Sequence, residues 1–471
     1  MHQWCYSHNG GNHRKINEKA LQAAWEKGTG QITEPHNPHH WATYGDPEER
    51  GWVLDHSVYC MLAQGGGGCA NLGTYWLNRP ERLIDHYGLL FAYDRVEKFK
   101  PILNELVQTR LVMDAAKIGT LQDYYTLFAK HRTIFYARMK DLNLWFDLMK
   151  TDGLAYSSLD LPNGEWSPDI NEFKLLVPNA LDEVMSLKNI DKLAELVRNG
   201  AKMVVPASVG RYCPEAKGEE FVLLKKLGIE PPQGKYNLKG MDVKAKIVAD
   251  NPLFKTGAEF AFYTTEKQKV ESQGDEVSTM DRFWKWPYRW LPISNYFGYF
   301  SENKTTNGQV IARFDNGAVA MSLHKAGKGE VLVLWGTPDY KPELYKGFMT
   351  KVAEWAGAVK QSDANPMPFM LELAPMDERK RHYAVIYEEN AGTYKQKIKN
   401  LPDGEYFVDD MVTDHRFGTY TAEEIRNDGL EITIDDETSP LRIIRFIQLA
   451  KGESKNKSWL PKYRQPTEVA K

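Results

Sequence analysis

Residues 193–210 read LAELVRNGAKMVVPASVG, and residues 308–337 read GQVIARFDNGAVAMSLHKAGKGEVLVLWGT; these two stretches decide the fold. In the first, the spacing predicts a helix over 190–199. Glycine is the preferred residue just after a helix, so Gly200 is expected to end it. The apolar run 201–205 follows directly and predicts a buried strand. A helix leading straight into an apolar strand is typical of an α/β unit.

The second stretch predicts a hairpin followed by another strand. Asn316-Gly317 separates the apolar runs 308–314 and 318–323, and Asn-Gly in such a position favours a tight hairpin turn. The segment 327–329 then turns the chain into the apolar run 330–336. A helix over 342–356 is expected to close this part of the chain.

Strands and helices alternate upstream of these stretches as well. The runs 115–121 and 173–178 are apolar and short, and each precedes a helical pattern. Such alternation indicates parallel βαβ units. After residue 361 the pattern changes to short alternating strands separated by turns, which predicts a small antiparallel β-sandwich. These strands are expected at 383–387, 405–408, 430–434 and 442–447.

Length and charge limit the possible classes of protein. A chain of 471 residues should divide into about three domains. The formal net charge is −3 and no basic stripe occurs, so no nucleic-acid partner is expected. No apolar run is long enough to predict a membrane span. Met1 is not followed by a signal peptide, and the compartment stays open: cytoplasmic, or exported with a leader missing from this sequence.

Neither the cysteines nor the histidines form a convincing metal motif. The four cysteines, Cys5, Cys60, Cys69 and Cys213, include no CxxC pair, so buried free thiols are expected. The His36-x-x-His39-His40 spacing is loose and interrupted by proline, and no HExxH helix accompanies it. No metal and no cofactor is therefore predicted.

The order of these parts resembles glycoside hydrolases of family 42. The stretch 171–184, NEFKLLVPNALDEV, and the two stretches quoted first are similar to the flavodoxin-like domain of that family, which is related to class I glutamine amidotransferases. The resemblance implies part of a (β/α)8 barrel in residues 1–110, with a helix over 95–110 that closes it. It further implies a flavodoxin-like α/β domain of the trimerising kind in 111–360, a β-sandwich in 361–452 and a disordered tail in 453–471. It also implies a homo-oligomer, a trimer.

The same resemblance gives Glu34 a catalytic role. Residues 28–41 read GTGQITEPHNPHHW, in which 30–33 is expected to be a barrel strand and Pro35 ends it. Glu34 then lies at the carboxyl end of the strand, where family members hold their nucleophile. A retaining glycosidase needs such a carboxylate and a second carboxyl group that donates a proton. Without the resemblance, Glu34 would be interpreted as a solvated loop residue.

Aromatic and histidine side chains near Glu34 are candidates for binding an oligosaccharide or polysaccharide. Indole rings stack on the apolar faces of sugars, and imidazole both donates and accepts hydrogen bonds at neutral pH. The alternative for each residue is ordinary packing or a loop position. The candidates are Trp4, His36, His39, Trp41 and Trp76.

Two functions remain possible at this point. The first is a glycoside hydrolase that cleaves β-galactosides or related polysaccharide fragments by retaining double displacement. Residues 1–110 supply about three barrel strands, so the half with the acid/base is expected before Met1 or in another chain. The second is a catalytically silent carbohydrate-binding or oligomerising scaffold. In the amidotransferase-like part, Ser208 is the only nucleophile type after strand 201–205, without a GxSxG frame, which predicts an inert domain. The aromatic stretch 283–290 fits an oligomer contact or the wall of a sugar cleft.

Overall fold

The structure is a computed structural model that describes a discontinuous set of residues. The regions before residue 98 and after 450 lie outside it, and with them the predicted barrel strands and the predicted tail 453–471. The described residues are 98–99, 101–102, 105–106, 109–112, 117–121, 149, 152, 154, 157–159, 166, 170–178, 182–232, 235–236, 243–262, 300–301, 303–336, 347–358, 360, 362–363, 368–375, 381–388, 390–435 and 439–450.

A nine-stranded mixed sheet lies at the centre of the α/β unit, the name used here for residues 117–358 as described. Strands are numbered along the chain. Those of this sheet are β2 (Ile118–Leu121), β3 (Ser157–Ser158), β4 (Leu175–Pro178), β5 (Lys202–Pro206), β7 (Val243–Ile247), β8 (Glu259–Phe262), β10 (Gln309–Phe314), β11 (Val319–Ala326) and β12 (Gly329–Leu334). The spatial order is β3-β2-β4-β5-β12-β11-β10-β7-β8. The first five strands run parallel, and the pairings from β12 to β8 are antiparallel.

Helices cover both faces of this sheet. They are α1 (Leu187–Asn199) and α2 (Val222–Lys226) on one face and α3 (Phe348–Ala356) on the other. Leu176 and Met203 share a core with α1 and α2, whereas the alternate residues Leu175 and Val204 share a core with α3. Because both faces are buried, the central strands are continuous apolar runs, as in parallel sheets generally.

Most local predictions for this unit are confirmed. Strands β4, β5 and β12 lie side by side and run parallel. Helix α1 ends at Asn199, and Gly200, with φ 127°, donates its N–H to the carbonyls of Leu196 and Val197. The Asn316-Gly317 turn joins β10 and β11 as an antiparallel pair. Of the predicted helix 342–356, residues 348–356 form α3; the prediction was wrong at Gly347, which precedes the helix as its N-cap with φ 76°.

A second group of strands, the β unit, is antiparallel throughout. The strands are β1 (Thr109–Val112), β13 (Phe369–Pro375), β14 (Arg381–Tyr387), β15 (Gly392–Gln396), β16 (Glu405–Asp410), β17 (Arg416–Thr421), β18 (Leu430–Ile434) and β19 (Leu441–Gln448). Six of them form a sheet with the order β1-β13-β14-β19-β16-β17, and β15 pairs with β18 in a separate two-stranded sheet. Alternate residues of the larger sheet form a core with β18 and the helix α4 (Ala422–Asn427).

The remaining pair of strands, β6 (Lys235–Tyr236) and β9 (Phe300–Ser301), forms a small sheet of its own.

Strand β1 corrects an expectation from the sequence. A helix over 95–110 was predicted to close a barrel, and residues 98–99, 101–102 and 105–106 are helical. At Thr109, however, the chain becomes a strand whose four residues pair with β13, from Thr109 opposite Pro375 to Val112 opposite Glu372. A four-residue strand gives little periodic signal, and its partner lies far along the chain. The helical prediction for Thr109 and Arg110 was therefore wrong.

Candidate functional site

The carboxyl ends of parallel strands are where open α/β sheets bind ligands. In this chain the segments that follow β4 and β5 are joined at that edge by backbone hydrogen bonds. The amide of Gly210 donates to the carbonyl of Asp182 at 2.8 Å, and the amide of Tyr212 donates to the carbonyl of Glu183 at 2.9 Å. Polar side chains from both segments are thereby brought together.

A buried arginine lies at the centre of this edge. Arg211 is 2% exposed, and its guanidinium lies 4.6 Å from the ring centroid of Tyr212 and 5.1 Å from that of Phe221. Its Nε and Nη2 donate to one oxygen of Glu220 at 3.1 and 2.8 Å, and Nη1 donates to Glu183 at 3.4 Å. Two carboxylates and two rings therefore surround the cation, which is how a buried charge is made tolerable.

Ser208 does not have the geometry of a catalytic nucleophile. It is 8% exposed and lies in a turn in which its carbonyl accepts from the amide of Arg211. A nucleophile elbow holds its residue in a strained backbone conformation directly before a helix. The described non-glycine residues with positive φ are Lys117, Phe221 and Asp414, so Ser208 is not strained in this way. The next helix, α2, begins only at Val222.

Cys213 is also unsuited to nucleophilic chemistry. It is 1% exposed, and its Sγ donates to Oε2 of Glu215 at 3.2 Å. Burial, together with this hydrogen bond, raises the pKa of the Cys213 thiol to about 11. The attacking species would be the thiolate, and a thiol with this pKa stays protonated at neutral pH. The same carboxylate oxygen accepts from the amide of Leu187, the first residue of α1.

A serine–histidine contact occurs inside the mixed sheet. The indole Nε1 of Trp335 donates to Oγ of Ser322 at 2.6 Å, and that Oγ lies 2.7 Å from Nε2 of His324. Because the indole can only donate, the serine has its own hydrogen available for the imidazole. Burial lowers the pKa of His324 to about 4. Ser322 and Trp335 are both 0% exposed, so this trio is a buried polar network and not a site open to substrate.

Two further arginine–carboxylate pairs lie in the β unit. Nε and Nη2 of Arg445 donate to the two oxygens of Asp409 at 3.0 and 2.6 Å. The next residue, Asp410, has a carboxylate oxygen 3.4 Å from Nε of Arg442 and accepts hydrogen bonds from the amides of Val412 and Ile443. Burial raises the pKa of Asp410, against the lowering effect of these hydrogen bonds and of Arg442.

The candidate site predicted from the sequence lies outside the described residues. This applies to the nucleophile candidate and to every predicted sugar-binding residue, so their roles stay predictions: Glu34, Trp4, His36, His39, Trp41 and Trp76. Within the described ranges, no group of three or more His, Cys, Asp or Glu side chains could hold a metal ion.

The buried ion pairs were not predicted from the sequence, although the sequence contains a signal for them. Strand β19 reads LRIIRFIQ, and its two arginines interrupt a run that is otherwise apolar. A charge within a buried strand requires a partner of opposite sign. The adjacent Asp409 and Asp410 at the end of β16 are those partners. The sequence alone did not specify which acid would pair with which base.

The described residues define a mixed α/β protein with one parallel-stranded sheet and separate antiparallel sheets. No protein-family model and no curated protein matches the sequence. Among solved structures, the chain is similar to a β-galactosidase from Bacillus circulans sp. alkalophilus, with 12% identity, coverage of 74% of this chain and 44% of that one, and a TM-score of 0.48. The similarity to Gan42B, a GH42 β-galactosidase from G. stearothermophilus, has 12% identity, coverage of 76% and 44%, and a TM-score of 0.48.

A third similar structure is the β-galactosidase from Rahnella sp. R3, with 12% identity, coverage of 75% and 44%, and a TM-score of 0.46. Of these three structures, Gan42B is the one described as a GH42 β-galactosidase. The chain spans 44% of the length of these three proteins. No activity follows from a likeness at this identity and TM-score. In the described part of the chain no helix has the length and apolarity to cross a membrane.

Proposed function

We propose that the chain is a glycoside hydrolase-like protein acting on β-galactosides or related polysaccharide fragments, with Glu34 as the nucleophile of a retaining mechanism. The observation that carries the proposal is the segment Ile32-Thr33-Glu34-Pro35, in which proline ends an expected strand just after a carboxylate. In a retaining mechanism that carboxylate attacks the anomeric carbon, and water then hydrolyses the glycosyl–enzyme intermediate. The proposal assigns no residue to the acid/base role.

The proposal includes a domain plan and an assembly. It places part of a (β/α)8 barrel in 1–110, a flavodoxin-like, amidotransferase-like domain in 111–360 and a β-sandwich in 361–452. Trp4, His36, His39, Trp41 and Trp76 would contact the sugar. A trimer would give a sedimentation-equilibrium mass near three times that of the 54.0 kDa chain. A mass equal to one chain would contradict the trimer.

A second candidate function is a catalytically silent carbohydrate-binding or oligomerising scaffold. This scaffold function is favoured by the side chains that pack against one another at the carboxyl ends of the parallel strands β4 and β5. Arg211 occupies that edge with Glu183 and Glu220, and neither Ser208 nor Cys213 is exposed. Of the described residues at this edge, neither Ser208 nor Cys213 is therefore offered as a reactive group to a ligand, at the place where α/β sheets usually bind one.

One assay separates the two functions. The purified chain is offered an aryl β-galactoside, alongside the variant Glu34→Ala and the control Ser208→Ala. The chain alone is expected to be inactive. When the barrel half that carries the acid/base is supplied, the hydrolase proposal expects turnover by the chain and by the control. It expects loss of turnover in Glu34→Ala, with recovery on adding azide, which replaces the carboxylate as nucleophile. Unchanged turnover in Glu34→Ala would rule out the nucleophile role.

The silent scaffold makes the opposite predictions. The chain would show no turnover even when the barrel half is supplied, and calorimetric titration with a galactose-containing oligosaccharide would still detect binding. Substituting Trp41 by alanine would then weaken binding, because an indole ring stacks on the apolar face of a sugar. Turnover by the chain that disappears in Glu34→Ala would exclude this alternative.

A further inference from the structure

Residues 98–112, here called the strap, contact the β unit through their backbone. All four residues of β1 lie in register with β13, and β1 forms the edge of the six-stranded sheet. In the helical part, Phe99, Ile102 and Leu106 are at most 2% exposed. Their spacing of three and four residues places them on one face of the helix. The strap is therefore packed on both its helical and its strand portion.

A second contact is electrostatic and independent of the strand pairing. Oε1 of Glu105, in the helical part of the strap, accepts from Arg381 at 2.9 Å and from the hydroxyl of Tyr383 at 2.9 Å. Both oxygens of Glu105 also lie 3.2 Å from Nη1 of Arg445. Burial raises the pKa of Glu105, but Arg445, Tyr383 and Arg381 outweigh it, and the pKa lies below its usual value.

Glu105, Asp409, Arg381 and Arg445 form a charged cluster to which both the strap and the sheet contribute. Among the described residues, the sheet supplies two cations, Arg381 and Arg445, and one carboxylate, Asp409, to the cluster. Glu105 supplies a second carboxylate, so the formal charges of these four residues balance only when the strap is docked. Arg445 is 1% exposed, and a buried guanidinium is stable only with partners of opposite charge.

The strap lies on a defined face of the sheet. Tyr383 and Arg445 are opposite each other on β14 and β19, and Arg445 is opposite Asp409 on β16, so the three side chains share one face. The other face carries Ala384 and Ile444, which pack with the two-stranded sheet and α4. The six-stranded sheet is thus the middle layer, and the helical part of the strap lies on its outer side, whereas β1 is the edge strand of the sheet itself.

We infer that the strap and residues 369–450 form one cooperative folding unit, into which the α/β unit is inserted, with Glu105 as the electrostatic lock between the two parts. The inference is independent of the proposed glycosidase activity. Its physical consequence is that the strap is fixed to the sheet built from the C-terminal residues. The lock forms only once β19, the central strand that carries Arg445, is in place.

Hydrogen exchange of the full chain tests the inference without any substitution. Amides of β1 should open together with those of β14 and β19, at one common free energy, since a cooperative unit opens as a whole. Amides of β5 and β12 should open with a different free energy. A β1 that exchanges much faster than β14 and β19 would show a frayed edge strand and would overturn the inference. Equal opening of all five strands would also overturn it.

The variant Glu105→Gln tests the lock itself. It removes the charge and keeps the shape, which leaves the two guanidinium groups with one carboxylate fewer. Exchange of the amides in β1, β14 and β19 should then accelerate together, on the order of 10- to 100-fold, because removing one partner of a buried ion pair is strongly destabilising. Amides of β5 and β12 should keep their rates.

The matched control is Glu172→Gln, which breaks the exposed Lys117–Glu172 pair in the α/β unit. It should leave the strap unchanged, since exposed pairs contribute little. If Glu105→Gln does not fold, Glu105→Asp retains the charge at a greater distance and should show the same pattern at smaller amplitude. No acceleration in either Glu105 variant, or acceleration of β1 alone, would contradict the lock.

Discussion

In the described part of the chain, three buried arginines are each paired with at least one carboxylate. Arg211, Arg442 and Arg445 are each at most 3% exposed, and each has at least one carboxylate within 3.4 Å. The cost of removing an ion from water is several kcal/mol, so a guanidinium in such a place requires this compensation. Apart from Arg211–Glu220, these pairs join segments distant in sequence, so their charge balance depends on the tertiary fold.

His324 makes the stability of the α/β unit depend on pH. Its pKa in the folded protein is about 4, against 6.5 for an ordinary histidine, because burial disfavours the charged imidazole. The unfolded chain therefore binds a proton that the folded chain does not bind between these two values. The contribution of neutral His324 to the free energy of unfolding is fully present above about pH 6.5. It is lost as the pH falls towards 4, and the total loss is about 3 kcal/mol.

Urea unfolding at pH 7 and pH 4 of the wild type and of His324→Gln measures this effect. The glutamine cannot titrate in this range. Between the two pH values, the free energy of unfolding of the variant should therefore fall by about 3 kcal/mol less than that of the wild type. Equal losses in both proteins would show that His324 is not the titrating group.

At the scale of secondary-structure elements, helix α3 is capped by a residue from a distant segment. Its N-cap is Gly347, which has no side chain to offer, and Asp152 accepts from the amides of Gly347 at 3.3 Å and Thr350 at 2.7 Å. Replacing Asp152 by alanine should lower the free energy of unfolding of the α/β unit by about 1–2 kcal/mol. Asp152→Asn, which still accepts, should lower it less. Denaturant titration compares the two variants, and equal effects would argue against capping.

Gly329 determines how closely β12 approaches the turn between α1 and β5. A Cβ atom on Gly329 would lie 2.1 Å from the carbonyl oxygen of Val197 and 2.2 Å from that of Ala201. Backbone atoms cannot move aside cheaply, so Gly329→Ala should destabilise the protein by about 2–3 kcal/mol.

Gly218→Ala is the matched control for Gly329→Ala. Gly218 has φ +81° and nothing within 4 Å of its Cβ position, so this change adds only backbone strain, about 1 kcal/mol. Thermal unfolding of the two variants should rank Gly329→Ala as clearly the less stable. The reverse order would contradict the close approach of β12 to the turn.

For the whole molecule, the cores of the α/β unit and of the β unit contain no residue in common. Ile444→Ala removes a fully buried side chain from the β unit, and Leu332→Ala removes one from the α/β unit. Each change should lower the free energy of unfolding of its own unit by about 2–5 kcal/mol. Hydrogen exchange should show Ile444→Ala accelerating β14 and β16 but not β5, and Leu332→Ala the reverse. If either variant accelerates both units equally, the units are not separate.

The elements that could be predicted from the sequence are those specified by residues close together in the chain. Gly200 ends α1 because its own backbone conformation permits the turn, and Asn316-Gly317 joins two strands that are neighbours in sequence. The apolar runs 173–178 and 201–205 indicated parallel buried strands for the same reason. The candidate nucleophile Glu34 was predicted from a short segment too, and that assignment stays a prediction.

Contacts between distant segments could not be predicted in this way. The short strand β1 was mistaken for the end of a helix, because its partner β13 lies more than 250 residues further along the chain. The same applies to Glu105, because the residues around it in the sequence gave no reason to expect Arg381 and Arg445 as its partners. The strands and helices with a clear local periodicity, and the faces they bury, could be predicted from the sequence because periodicity involves only neighbouring residues. Strand pairing and the contacts between buried charges follow from the folded structure, because they depend on distances between residues that the chain brings together only when it folds.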